Sequence, residues 1–192
     1  MSRLCVRPLA MSIALLLACG TAALGATVLM RTNGTVYFVR SIDGADDRLP
    51  IAGSVIVSDG ATAQTDPGAS ALVTFPDLST LRLEGATRVR IGGFTASGTP
   101  AARLTLAEGT VRLAIHQPSE TSFVIATQNL EVRAWGAASV RTDSASTRVS
   151  CISGHAVVTS RDGETIELQE HQTLAQTWDP QGMREMHLDP MQ

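Results

Sequence analysis

Cys151 and His155 stand four residues apart, and a thiol beside an imidazole is the pairing that nucleophilic catalysis uses. In an extended strand that spacing separates them by roughly 13 Å, and only a turn at Ser153-Gly154 would bring them closer. The expected role of Cys151 is instead that of a small core hydrophobe in the row Thr147, Val149, Cys151. The four histidines, His116, His155, His171 and His187, are scattered without metal-type spacing. Asp43-Gly44-Ala45-Asp46-Asp47 is rich in carboxylates, yet it lacks the alternate acids and distal Glu of an EF-hand loop, so Asp43 to Arg48 reads as a solvated loop tip. No Gly-x-Ser-x-Gly elbow, His-Glu-x-x-His, Cys-x-x-Cys, phosphate-binding glycine loop or dinucleotide fingerprint occurs. No catalytic residue, metal site or cofactor is expected.

Binding chemistry is better represented. Arginines at 82, 88, 90, 112, 133, 141 and 148 fall on outward alternate positions beside Glu84, Glu108 and Glu131. Two readings fit them: mixed-sign neighbours on a wet sheet face, which is favoured, and a ligand-binding stripe. Around Trp135 the alternation puts Leu130, Val132 and Ala134 inward, and Glu131, Arg133 and Trp135 outward. Arg133 and Trp135 together have the residue chemistry of an interaction hot spot and are the candidate partner-binding residues, although a strand switching faces at Gly136 would bury Trp135 instead.

The elements that must carry these residues are strands. From Thr27 to Trp178 the sequence repeats apolar-alternating runs of four to seven residues, broken by Gly, Asn, Asp, Pro or Ser. Ala71, Val73 and Phe75 share one face, as do Leu81 with Leu83 and Val89 with Ile91, while Arg82, Arg88 and Arg90 point the other way. Phe75, Leu81, Leu83, Val111, Leu113 and Phe123 are the expected inward core. Asn33-Gly34, Glu108-Gly109, Ser153-Gly154 and Asp162-Gly163 are expected turns, because they supply residues that tolerate positive φ. Gly92 to Ala102 reads as a low-complexity loop. No eleven-residue window of the mature chain carries a helical stripe, so the fold class is all-β, as a rolled β-sandwich or a short irregular β-solenoid of many short strands.

The first 25 residues read as an export signal: Arg3 and Arg7, an apolar run from Leu9 to Ala18, and Ala23-Leu24-Gly25 as a small-x-small cleavage site before Ala26. Two rival readings make Leu16-Leu17-Ala18-Cys19 a lipobox, or leave the uncharged stretch from Leu9 to Met30 uncleaved across a bilayer. The division that follows is a signal at 1–25, one domain at 26–178 and a polar tail at 179–192. Removing the signal subtracts two arginines and no acids, leaving 13 basic against 18 acidic residues, a charge of −5. Such an acidic chain is a poor nucleic-acid binder. Every basic residue is Arg, with no Lys. Once Cys5 and Cys19 are removed or modified, Cys151 is the only thiol of the domain, and no internal disulfide is possible.

The stretch Ala71, Phe75, Pro76, Asp77, Ser79, Leu81 and Leu83 resembles the FecR domain of bacterial envelope signalling, whose signature runs Pro-Asp-Gly-Ser where this chain has Leu78 in place of Gly. Leu104-Thr105-Leu106 through Leu113 and Phe123-Val124-Ile125-Ala126-Thr127 extend the resemblance, while Gly136-Ala137-Ala138-Ser139 departs from the family's Gly-Thr-x-Phe. The resemblance implies a non-enzymatic, exported protein-interaction module, periplasmic or secreted, with an unidentified envelope protein partner and a context in envelope signalling. With an export signal starting at Met1, no cytoplasmic segment and no direct sigma-factor contact are expected. The chain is also expected to end too soon after Gln176 for the receptor-docking subdomain. Membrane contact is expected only if Cys19 is lipidated or the signal stays uncleaved. The alternative is an envelope structural or peptidoglycan- or glycan-binding protein.

Overall fold

The computed structural model describes residues 26–42, 45–95, 101–118, 121–178 and 184–190. The expected signal at 1–25, with Cys5 and Cys19, lies outside them, as do Asp43 and Gly44. Among the described residues there is no helix, and alternating side chains give the strands that the two-residue period demands. In chain order these are β1 (Thr27–Asn33), β2 (Val36–Ile42), β3 (Ala45–Pro50), β4 (Ser54–Val57), β5 (Thr62–Thr65), β6 (Ser70–Thr74), β7 (Thr80–Leu83) and β8 (Arg88–Phe94). They continue as β9 (Ala102–Ala114), β10 (Phe123–Ala126), β11 (Leu130–Thr142), β12 (Ser146–Ser160), β13 (Thr165–Gln169), β14 (Gln172–Trp178) and β15 (Arg184–Pro190).

Their registers resolve into two layers. The first runs β4, β1, β6, β7, the C-terminal half of β9, the C-terminal half of β11, the N-terminal half of β12, β14 and β15. The second runs β3, β2, β5, β8, the N-terminal half of β9, β10, the N-terminal half of β11, the C-terminal half of β12 and β13. Among the described strands only the β9–β10 pair is parallel. Three long strands thus belong to both layers, and each bends at a glycine of positive φ: Gly109 in β9, Gly136 in β11 and Gly154 in β12. Gly136 and Gly154 are cross-strand partners, so the two bends coincide. A Cβ on Gly154 would collide with the Trp135 carbonyl, and one on Gly136 with the Ser153 carbonyl, which leaves glycine as the residue that fits.

The inner faces close on one core. Phe75, leaving β6 in the first layer, meets Phe123 of the second edge-on at 5.0 Å between ring centroids and Phe94 at 6.1 Å. Leu81, Leu83, Val111 and Leu113 are buried beside them, and the expected inward set is the observed one. The fold is all-β: among the described residues the 15 strands form one mixed sheet, turned back on itself at the three long strands so that its two arms share this core.

Four expectations are corrected. The carboxylate-rich segment is a strand and not a loop tip from Ala45 onward, because Asp46 and Asp47 act as cross-strand acids, on Arg88 at 2.5 Å and on Arg40 at 3.0 Å. Glu108-Gly109 and Ser153-Gly154 are bends inside continuous strands, since pairing persists on both sides of each glycine. Of the expected loop from Gly92 to Ala102, Gly92 to Phe94 belong to β8 and Ala102 to β9, while 96–100 lie outside the described residues. Past Asp179, where a loose polar tail is expected, β15 adds to β14 from Gln172↔Pro190 to Trp178↔Arg184.

Candidate partner-contact site on the second layer

Strand β11 runs Glu131, Arg133 and Trp135 outward and Leu130, Val132 and Ala134 into the core, so Trp135 lies on the outer face of the second layer and not in the interior. Its neighbours there follow from register. Arg103, Val124, Arg133, Val157 and Glu167 form one cross-strand row, and Trp135, His155 and Gln169 form the next.

The Trp135 indole and the His155 imidazole stack, with centroids 4.7 Å apart and planes 10° from parallel. The Arg133 guanidinium carbon lies 5.8 Å from the indole centroid, within cation–π range. Val124, although its side chain faces outward, is fully buried between the Arg103 and Arg133 positions. Arg103 is held by Glu131 at 2.8 Å. The result is a half-buried aromatic pair with an arginine leaning toward it and a buried valine in the neighbouring row: an aromatic surface with a cationic edge.

A bulge decides what joins this site. The β11–β12 register runs Thr142↔Thr147 to Ala138↔Cys151 and then resumes at Ala137↔Ser153, leaving Ile152 as the extra residue. Before the bulge, Cys151 faces the core, fully buried; after it, His155 faces out against Trp135. The thiol and the imidazole are therefore on opposite faces of the strand. Burial, with Glu170 as a lesser cause, raises the Cys151 pKa above its ordinary value, opposite to what a nucleophilic thiol needs. His155, which the sequence places only beside Cys151 and among the scattered histidines, is the site residue that sequence reasoning missed.

The other histidines stand apart. The backbone amide of His116 donates to Ser79 Oγ at 3.1 Å, His171 lies 3.4 Å from Glu170, and His187 lies 2.8 Å from Asp189. Among the described residues no three His, Cys, Asp or Glu side chains converge as a metal site would require.

The profile of the family described as FecR protein matches residues 61–157, just over half of the chain, and that span contains Arg133, Trp135 and His155. Two crystal structures of a protein from Parabacteroides distasonis ATCC 8503, described as a “putative anti-sigma factor” and determined at 1.65 and 2.50 Å resolution, share the fold. Each superposes with a TM-score of 0.56 and 17% sequence identity over 68% of this chain, which covers 59% of that protein. No curated protein matches the chain in sequence.

Proposed function

Because the chain belongs to the FecR protein family, we propose that it is a non-enzymatic protein-interaction module of the bacterial envelope, with envelope signalling as its context. The observation that carries this reading is the outward Arg133–Trp135–His155 cluster, a pre-formed aromatic and cationic surface inside the family-matched span. Action by contact is favoured over catalysis by the interior, proton-retaining Cys151. The description of the neighbouring structures bears on the context only as an analogy of fold.

The partner is an envelope protein. Trp135→Ala, at a half-buried surface position, is expected to leave the fold intact and to weaken capture by more than about 1 kcal/mol, roughly fivefold. The chain has no lysine for amine-directed crosslinkers, so the capture uses a photoreactive residue in place of Gln169, cross-strand neighbour of His155. Recovery of the same partners in equal yield from wild type and Trp135→Ala would remove this surface from the proposal. Capture by purified peptidoglycan, with no protein recovered, would favour the glycan-binding alternative.

Export is part of the proposal and rests on Arg3, Arg7 and the Ala23-Leu24-Gly25 site. N-terminal sequencing of protein recovered from the periplasm is expected to begin at Ala26. A species starting at a lipidated Cys19 would replace that reading.

A further inference from the structure

Four of the described strands have a neighbour on one side only: β4 and β15 in the first layer, β3 and β13 in the second. An open edge is a template for another strand, and charge along the strand is a common guard against that. Three of the four are guarded. Strand β3 carries Asp46, Asp47 and Arg48, β13 carries Glu167, and β15 carries Arg184, Glu185 and Asp189. Strand β4 has no such guard. Gly53 to Ser58 reads Gly-Ser-Val-Ile-Val-Ser, and Ile56 on its outward face is 65% exposed.

Register shows which way the β4 backbone points. The Arg31 amide donates to the Gly53 carbonyl at 2.8 Å, one step beyond Met30↔Ser54, so bonding to β1 recurs at every second pair, Leu29↔Val55 and Thr27↔Val57. The backbone N–H and C=O of Ser54 and Ile56 therefore face the open side. About Ile56 the sequence is a palindrome, Ser54-Val55-Ile56-Val57-Ser58. The same strand laid antiparallel against this edge, Ile56 opposite Ile56, sets Val55 opposite Val57 and Ser54 opposite Ser58, with no charge facing charge.

The end of the molecule around β4 is apolar as well. Strands β4 and β3 lie at one end, because their neighbours β1 and β2 follow each other through Gly34. There Leu49, opposite Phe38, is 38% exposed, and Phe38 and Val55 are only partly buried against the core. The charges of β3 are taken up within the chain, Asp46 by Arg88, Asp47 by Arg40 and Arg48 by Asp66.

We propose that the chain pairs with a second copy of itself through β4, across a two-fold axis at Ile56 that joins the two first layers into one continuous sheet. The Ile56 N–H and C=O of each copy bond to those of the other, and the Val28–Ile56 row continues outward across the axis. A second copy fits this edge better than a foreign strand because the palindrome matches like with like along the whole of β4. The surface is separate from the Arg133–Trp135–His155 cluster, which lies on the second layer.

The test is analytical sedimentation of the purified full chain over a range of concentrations. A reversible dimer with a micromolar Kd is expected, since the shared strand is short. Ile56→Lys, which brings like charges together on the axis, is expected to weaken association at least about a hundredfold and to leave the thermal midpoint unchanged. Ile56→Cys is expected to crosslink as a dimer under mild oxidation, because directly opposed residues of antiparallel strands have Cα atoms within disulfide reach. It should do so faster than the wild type and faster than Leu188→Cys on the β15 edge, both of which keep the chain's own cysteines. A chain that sediments as a monomer at every concentration overturns the proposal and leaves the edge to a foreign strand. A dimer that survives Ile56→Lys, or that crosslinks as fast through Leu188→Cys, has its contact elsewhere and overturns the proposal too.

Discussion

Cys151 and His155 show how little of a site depends on residue type and how much on which way the strand turns each residue. Placed inside the core beside Val149, the thiol is desolvated and keeps its proton to higher pH than a free cysteine. A thiol-directed reagent is therefore expected to leave the native protein unlabelled and to modify Cys151 only as denaturant unfolds it; labelling at the rate of a free thiol under native conditions would contradict its burial. Alternation in Leu130 to Trp135 points Trp135 outward, but a strand switching faces at Gly136 left its direction open; its partner was not legible at all. Counting back along the hairpin from the Thr142–Thr147 pair puts Gly154 opposite Trp135, and only the extra residue Ile152 moves His155 into that place. A bulge of one residue shifts the phase of alternation within β12, from Thr147, Val149 and Cys151 inward to Ala156, Val158 and Ser160 inward, but the residues between, Ile152 to His155, do not show at which position the phase slips.

At the scale of elements, glycine was the ambiguous signal. Asp162-Gly163 does close the β12–β13 hairpin, with the Gly163 amide donating to Ser160 at 3.0 Å. Gly109 and Gly154 have the same left-handed preference but sit where a long strand passes from one layer to the other, so local turn chemistry reads alike in both settings. Strand β3 was hidden for a different reason: its Asp-Asp-Arg core carries no apolar alternation and is held by charge pairing with β2 and β8. Edge strand β15, with its Met, His and Asp residues, likewise offered no alternating pattern. Gly154→Ala is expected to be among the more damaging small substitutions, costing roughly 1–3 kcal/mol, because a methyl there must displace the Trp135 carbonyl at φ 77°. A chemical melt reads this directly, and an unchanged midpoint would mean that the bend lies elsewhere. The same variant should disturb the Trp135–His155 stack, since the bend sets their spacing.

For the whole molecule, the fold class and the inward set were the most legible features, because burial of alternate residues is the force that builds a sandwich and is written in every strand. Phe75 is the place to test it: its ring joins the layers through Phe123 and Phe94, and Phe75→Ala is expected to cost roughly 3–5 kcal/mol in lost burial and cavity. A thermal midpoint unchanged within error would show that the layers are joined by other contacts. The cross-strand pairing of arginines was not legible, since it depends on which strands distant in sequence become neighbours, as Arg82 opposite Arg112 shows.

The passage of β12 through both layers also sets how the end of the chain is attached. β14 joins the N-terminal half of β12 in the first layer and β13 its C-terminal half in the second, so the segment beginning at Thr165 grips a single strand from both sides of the sandwich. The turn before it, Arg161 to Gly163, is exposed. A backbone cut there would leave two pieces clasped together, the shorter one riding as a clip on the longer, with Leu168 and Leu174 still seated in the common core. The chain is in this sense divisible in sequence at a point where it is not divisible in space.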